Sequence, residues 1–140
     1  MPSDLEIARA IKLSFKADPR EAPSTIEADP DRLQQVLLIL IDNAIKHTPA
    51  GGTVEVGVRR HGGSAQLTVT DTGSGIAADD LPRIFDRFFR GQQAAQISGS
   101  GIGLAIAAEL TQAHGGRLTA ASETKGLGHG TQMTLSLPSA

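Results

Sequence analysis

A single carboxylate followed at once by glycines is the feature of the sequence best suited to chemistry. Asp71 ends a run in which Leu67 and Val69 alternate with polar residues, and Gly73 and Gly75 follow it. Because side chains in a strand alternate with a period of two, Asp71 is predicted to share the inward face of Leu67 and Val69. A carboxylate there can accept a hydrogen bond from a planar donor, while the glycines let a ligand approach the backbone. The alternative is an Asx-type turn in which Asp71 only caps its own backbone.

A second pair of candidate groups lies on a helix predicted from Pro30 to His47. Asn43 and Lys46 project together from one stripe beside the buried helical face. The amide oxygen of Asn43 is a hard ligand suited to Mg²⁺, and Lys46 offers a point charge for phosphate. The alternative for this stripe is an ordinary solvated helix edge.

Further along the chain, glycines at 99, 101 and 103 precede or begin another predicted helix. Free backbone N–H groups and the helix dipole at such a position favour an anion. A short Gly-x-Gly is common in turns, so a flexible loop that meets a helix is the alternative. Three of the four phenylalanines, at 85, 88 and 89, lie just before this stretch and predict either a local anchor or an ordinary small core beneath a loop.

The elements that must position these groups follow from hydrophobic periodicity. Three-and-four spacing predicts helices over 30–47 and 102–113. Period-two alternation and its flanking turns predict strands over 11–16, 24–28, 54–59, 66–71, 117–121 and 131–137. Short turns between most strands favour a mixed, mostly antiparallel sheet with helices on one face. The predicted fold class is therefore an α+β two-layer sandwich, and a parallel doubly wound sheet is disfavoured.

Composition limits the class of protein. The chain has 140 residues, a formal net charge of −2 and no cysteine. This predicts one domain over 11–140, with residues 1–10 as a remnant of an upstream helix or linker. Scattered basic residues argue against a nucleic-acid partner, and the lack of cysteine excludes disulfides and thiolate metal sites. No apolar run reaches the roughly 20 residues of a membrane span, so we expect a cytoplasmic domain without direct membrane contact, although its parent protein can be membrane-anchored.

Four blocks of the sequence, taken together and in order, resemble the N, G1, F and G2 boxes of the ATP-binding catalytic domain of sensor histidine kinases. They lie at residues 42–49, 71–76, 84–90 and 99–104. The resemblance covers roughly residues 24–138 and implies the Bergerat ATP-binding fold, with ATP and Mg²⁺ as cofactors. It also implies transfer of the γ-phosphoryl group to a histidine on a separate phosphoacceptor domain of the parent kinase, with a response regulator as an indirect partner.

The resemblance also implies roles for individual residues. Asn43 is the expected Mg²⁺ ligand, and the expected catalytic residues are Asn43, Lys46 and Arg87. Asp71 is expected to accept a hydrogen bond from the adenine amino group. The other nucleotide-binding residues that it implies are His47, Gly73, Gly75, Ile76, Phe85, Phe88, Phe89, Arg90, Gly99, Ser100, Gly101, Ile102, Gly103, Leu104 and Thr131.

One position departs from the family pattern. Ile39 stands where the family usually has an asparagine, one helical turn before Asn43. An alkyl side chain neither ligates a metal nor orients water, so we expect weakened Mg²⁺ coordination with adenine binding intact. A nucleotide-binding pseudokinase is therefore an alternative, and a serine-kinase anti-sigma factor shares the fold. A gyrase-type or chaperone-type ATPase is disfavoured because it would carry a glutamate here. None of the four histidines has a phosphoacceptor setting, so the chain is expected to donate phosphoryl groups without accepting them.

Overall fold

In the part of the chain that the structure describes, two helices pack on one mixed sheet. The structure is a computed structural model and describes residues 12–17, 26, 28–86, 103–123 and 129–138. The elements in chain order are β1 (Lys12–Ala17), α1 (Pro30–His47), β2 (Thr53–His61), β3 (Ser64–Asp71), a 3₁₀ turn (Leu81–Arg83), α2 (Gly103–Ala113), β4 (Arg117–Glu123) and β5 (Gly130–Pro138). Within these ranges the strand order is β1-β2-β3-β5-β4. β1 pairs with β2 in parallel, and the other neighbours are antiparallel. The predicted α+β class is confirmed.

Helix α1 begins and ends as its sequence predicts. The Asp29 side chain caps the first turn by accepting hydrogen bonds from the backbone N–H groups of Asp31 at 3.0 Å and Arg32 at 3.4 Å. Proline follows at the first helical position, where its missing donor costs nothing. At the other end the buried Thr48 hydroxyl donates to the Ala44 carbonyl oxygen at 2.7 Å. This hydrogen bond stabilises the last turn of α1, which carries the candidate site residues Asn43, Lys46 and His47.

The core lies between the two helices and one face of the sheet. Its fully buried helical members include Val36, Leu40 and Ala107. Its buried strand members are Val54, Val56, Val69, Met133, Leu135 and Leu137. These strand residues follow the period-two pattern, so their polar neighbours face away from the helices. No helix among the described residues is long and apolar enough to cross a membrane.

The predicted short strand over residues 24–28 is wrong at the two positions that the structure describes. Ile26 and Ala28 lie outside any strand, although Ile26 packs against the core. Among the described residues, no strand pairs with Ile26, Ala28 or Asp29. Instead, the Asp29 backbone N–H donates to Nε2 of His114 at 3.1 Å, and Nδ1 of His114 lies 2.8 Å from the Leu110 carbonyl oxygen. A side chain at the end of α2 thus accepts this backbone hydrogen bond.

Candidate functional site

The site forms where β3 and β5 run side by side. Asp71 pairs with Thr131 in the antiparallel ladder, and both are buried, at 6% and 7% exposure. Oδ1 of Asp71 accepts hydrogen bonds from the backbone N–H groups of Gly73 at 2.9 Å and Thr131 at 3.2 Å. The predicted inward direction of Asp71 is confirmed. Backbone donors from two separate segments fix its carboxylate.

The Asx-type turn that the sequence left open is present, because Gly73 donates to the Asp71 side chain. It does not use up the carboxylate. Both hydrogen bonds fall on Oδ1, and within the described part of the chain no donor is placed on Oδ2. The two interpretations of Asp71 are therefore compatible: one oxygen braces the turn, and the other is available to a ligand.

Burial is the main influence on the pKa values of Asp71 and His47. It raises the pKa of the Asp71 carboxyl, against the opposing effect of the two backbone hydrogen bonds and of His47. Burial also lowers the pKa of His47, opposed by the Asp71 charge and reinforced by Lys46. His47 is therefore neutral at pH 7, because burial disfavours its charged form more than the Asp71 carboxylate favours it.

A pH-dependent stability follows from His47. Its pKa in the folded state lies below the unfolded value of about 6.5, so its contribution is fully present above that pH and is lost as the pH falls through the folded pKa. We expect the urea midpoint of the wild type to fall more than that of His47→Gln between about pH 7.5 and about pH 5.5. The raised pKa of Asp71 acts in the opposite direction in both proteins. An equal pH dependence in the two would contradict this assignment.

Two glycines bring the loop after Asp71 into contact with its surroundings. A Cβ on Gly73 would overlap the His47 carbonyl oxygen, and one on Gly75 would overlap the Glu123 carbonyl oxygen. Gly75 also has a positive φ of 82°, which disfavours other residues. The loop therefore packs between the end of α1 and the end of β4, with no room for side chains at either contact.

The predicted phosphate side of the site lies on α1. Nζ of Lys46 is 2.9 Å from Oδ2 of Asp42, and both side chains are partly exposed. Such a surface pair contributes only about 0.3–0.5 kcal/mol, so a phosphate group can displace the Asp42 carboxylate. Sequence reasoning missed this pairing. Lys46 lies on the predicted stripe of α1, and its ammonium group forms an ion pair with Asp42 one helical turn earlier.

Ile39 acts as a packing residue between the two helices. It is half-buried and lies against the core, and a Cβ on Gly103 would be 3.5 Å from its Cγ2. It also lines a groove on the exposed side of α1 together with Leu38 and Asp42. The departure from the family pattern thus places an apolar contact at the start of α2.

The described residues offer few hard ligands for a metal ion. Asn43 is half-buried on α1, and its side-chain oxygen is one such ligand. Among the described residues there is no group of three or more His, Cys, Asp or Glu that could hold a metal. Mg²⁺ often takes one or two protein oxygens and completes its octahedron with water and substrate phosphates. The donor set therefore fits a Mg²⁺ ion held mainly by a nucleotide.

The remaining predicted site residues divide into two groups. Phe85, Ile76 and Leu104 are half-buried against the core, and Gly103 is the first residue of α2. The other predicted residues lie outside the described residues: Arg87, Phe88, Phe89, Arg90, Gly99, Ser100, Gly101 and Ile102.

Two residues of the site were missed by sequence reasoning. Oγ of Ser122 lies 2.6 Å from the backbone nitrogen of Ile76, and Nδ1 of His129 lies 2.6 Å from the carbonyl oxygen of Gly73. Ser122 had a signal, since it is a polar residue at an inward position of β4. His129 had none beyond its place between two glycines, because its contact joins residues far apart in the sequence.

Comparison with known proteins agrees with this geometry. The model of the family described as histidine kinase-, DNA gyrase B- and HSP90-like ATPase matches residues 28–140. The adaptive-response sensory kinase SasA of Synechococcus elongatus is 44% identical over 115 residues, which cover 81% of this chain and 29% of that relative. The chain spans about a third or less of the length of the curated SasA relatives that it matches.

Solved structures show the same relationship in three dimensions. A mycobacterial sensor histidine kinase, MprB, superposes with a TM-score of 0.83 at 32% identity, covering 96% of this chain and 88% of that one. Full-length ShkA in complex with AMPPNP superposes with a TM-score of 0.80 at 34% identity, covering 97% of this chain and 27% of that one. The chain therefore belongs to the histidine kinase-, DNA gyrase B- and HSP90-like ATPase family, as a catalytic domain of the sensor histidine kinase type.

Proposed function

We propose that this domain binds Mg-ATP beside Asp71 and donates the γ-phosphoryl group to a histidine on a separate helical segment of its parent kinase. The observation that carries the proposal is the Asp71 carboxylate at the start of a glycine-rich loop. It is buried and braced through Oδ1, and Oδ2 receives no donor from the described residues. The structure of the related ShkA was solved with the ATP analogue AMPPNP, which supports the same class of ligand here.

At the base end, Oδ2 of Asp71 accepts a hydrogen bond from the adenine 6-amino group. A guanine base presents a carbonyl oxygen at that position, and two acceptors would then face each other. Gly73, Gly75 and Ile76 form the wall of the pocket, and Thr131 lies beside Asp71. Adenine is thus selected by the donor and acceptor pattern of a buried group, where a mismatch is costly.

At the phosphate end, Lys46 leaves Asp42 and contacts a phosphate oxygen, while Asn43 is the protein ligand of Mg²⁺. When bound, Mg²⁺ neutralises the charge of the phosphates. The start of α2 at Gly103 offers backbone N–H groups to the same anion. Arg87 and Arg90 are proposed to act from the F box on the γ-phosphate or on the acceptor.

The transfer itself needs positioning more than covalent help from the domain. The acceptor imidazole nitrogen attacks the γ-phosphorus, the bond from that phosphorus to the bridging oxygen breaks, and ADP leaves with the electron pair. Because the imidazole is itself the nucleophile, we assign no general base to this chain. The partners proposed are the phosphoacceptor histidine domain and, indirectly, a response regulator, in the cytoplasm where ATP is available.

A nucleotide-binding pseudokinase is the second candidate, and Ile39 is the observation that favours it. Its alkyl side chain lies beside Gly103 at the start of α2 and offers no oxygen to a metal or to water. In this alternative the adenine end works as described, while Mg²⁺ and the phosphates are held too loosely for transfer.

The substitution Ile39→Asn tests how much this side chain limits the metal site. We expect Mg²⁺ to tighten nucleotide binding by about tenfold more in Ile39→Asn than in the wild type, since a polar neighbour orients the ligands of the metal. The lost apolar contact should lower the free energy of unfolding by about 1 kcal/mol. Titration with AMPPNP with and without Mg²⁺ measures the first effect. Ile39→Val, which stays apolar, is the matched control, and an unchanged Mg²⁺ response in Ile39→Asn would refute the role of Ile39.

The transfer reaction is tested with a helical hairpin that carries a phosphoacceptor histidine, fused before this chain. Incubation with ATP radiolabelled in the γ-phosphate and Mg²⁺ should give an alkali-stable, acid-labile label on the hairpin. Replacing the acceptor histidine by glutamine should abolish the label. Label on serine would contradict the histidine kinase assignment, and ADP binding without any label would favour the pseudokinase.

A further inference from the structure

We propose that Ser122 and His129 are positioning residues that hold the loop from Gly73 to Ile76 in its adenine-binding conformation before the nucleotide arrives. The inference rests on the proposed function, because it assigns these side chains to the adenine end of that site. Neither residue lies in the four sequence blocks that define the family resemblance.

The Ser122 hydroxyl joins three segments of the site. It accepts the backbone N–H of Ile76 at 2.6 Å and donates to the Gly130 carbonyl oxygen at 2.9 Å. Its oxygen also lies 2.9 Å from Oγ1 of Thr131. A serine hydroxyl has one proton and the carbonyl can only accept, so all three bonds form only when Thr131 donates to Ser122. The Thr131 proton is then committed, and towards a ligand its oxygen can act only as an acceptor.

The His129 ring holds the other end of the loop. Nδ1 of His129 lies 2.6 Å from the Gly73 carbonyl oxygen, and since a carbonyl only accepts, Nδ1 carries the proton in this contact. The next residue, Gly130, has a φ of 142°, and a Cβ there would overlap the Asp71 carbonyl oxygen. The backbone that presents His129 is thus packed directly on Asp71.

These contacts couple the loop to the Asp71 carboxylate. Gly73 donates its N–H to Oδ1 of Asp71 and accepts from His129 through its carbonyl oxygen. A shift of Gly73 would therefore move the carboxylate, and a shift of Ile76 would break its bond to Ser122. The loop is ordered before binding, so the nucleotide does not bear the cost of ordering it.

Calorimetric titration of the chain with ADP and with adenosine tests the proposal. We expect Ser122→Ala and His129→Ala each to weaken both ligands by about tenfold, the effect of leaving a part-buried backbone group of the loop without its hydrogen bond. Because the effect lies at the base, the fold-loss for ADP should be the same with and without Mg²⁺. Ser136→Ala, which removes a hydroxyl from the opposite end of β5, should bind like the wild type.

Two conservative variants separate positioning from general damage. Ser122→Thr keeps the hydroxyl, and the side-chain amide nitrogen introduced by His129→Asn replaces Nδ1 as the donor, so both should recover most of the affinity that the alanine variants lose. Wild-type affinity in Ser122→Ala and His129→Ala would overturn the inference and leave the proposed function intact. Affinity lost equally in the alanine and conservative variants would also overturn it. Failure of the wild type to bind ADP would overturn the proposed function and this inference together.

Discussion

Asp71→Asn is expected to weaken ADP binding by about a hundredfold while the fold is retained. The introduced side chain keeps an Oδ1 atom that can accept the N–H groups of Gly73 and Thr131, as Asp71 does. Its amide nitrogen then takes the place of Oδ2. Both this nitrogen and the adenine amino group are hydrogen-bond donors, so they cannot bond to each other. Two donors facing each other in a buried site lose a hydrogen bond and leave both groups unsatisfied.

Calorimetric titration with ADP and with inosine diphosphate measures this effect. Inosine presents a carbonyl oxygen in place of the adenine amino group, so the Asp71→Asn variant should favour inosine diphosphate relative to ADP, in contrast to the wild type. Thermal unfolding without ligand is the control for the fold. Equal losses for the two bases, or unchanged ADP affinity, would contradict the assignment of Asp71 to adenine.

Gly75→Ala is expected to abolish measurable nucleotide binding. Gly75 has a φ of 82°, where an alanine costs roughly 1 kcal/mol, and its Cβ would overlap the Glu123 carbonyl oxygen at the end of β4. Since backbone stands on both sides of this contact, the loop must move away from the sheet. That movement shifts the adjacent Ile76 and breaks its bond to Ser122.

Gly51→Ala is the matched control for this prediction. Gly51 has a nearly equal φ of 88°, but a Cβ on it meets no atom within 4 Å. It therefore carries the backbone cost of about 1 kcal/mol without the overlap, and its ADP affinity should equal that of the wild type. Similar losses of affinity in Gly51→Ala and Gly75→Ala would show that backbone strain, and not packing on β4, explains the effect.

Local patterns predicted the parts of the fold that local physics determines. Asp29 and Pro30 predicted the start of α1, because a capping side chain and a donor-free residue both suit a first helical turn. Period-two alternation predicted that Asp71 faces inward, and the structure confirms it. Both features depend on residues within a few positions of each other, so a single sequence is enough to find them.

Contacts between segments far apart in the chain could not be predicted from the sequence. The pairing of Asp71 with Thr131 joins strands that are 60 residues apart, and it brings Ser122 and His129 to the loop with them. The predicted strand over 24–28 is wrong at the described Ile26 and Ala28 for a similar reason, since alternation predicts an extended chain but not whether a neighbouring strand is available. The ion pair of Lys46 with Asp42 was within reach of the sequence, as an i, i+4 pair of opposite charge on one helix.

A crystal structure of this chain with ADP tests the adenine site most directly. We expect the adenine amino nitrogen to lie about 2.7–3.2 Å from Oδ2 of Asp71, the range of an N–H to oxygen hydrogen bond. We also expect the loop from Gly73 to Ile76 to keep its contacts with Ser122 and His129. An adenine ring bound elsewhere, or one that leaves the Asp71 carboxylate without this hydrogen bond, would contradict the assignment of Asp71 to adenine.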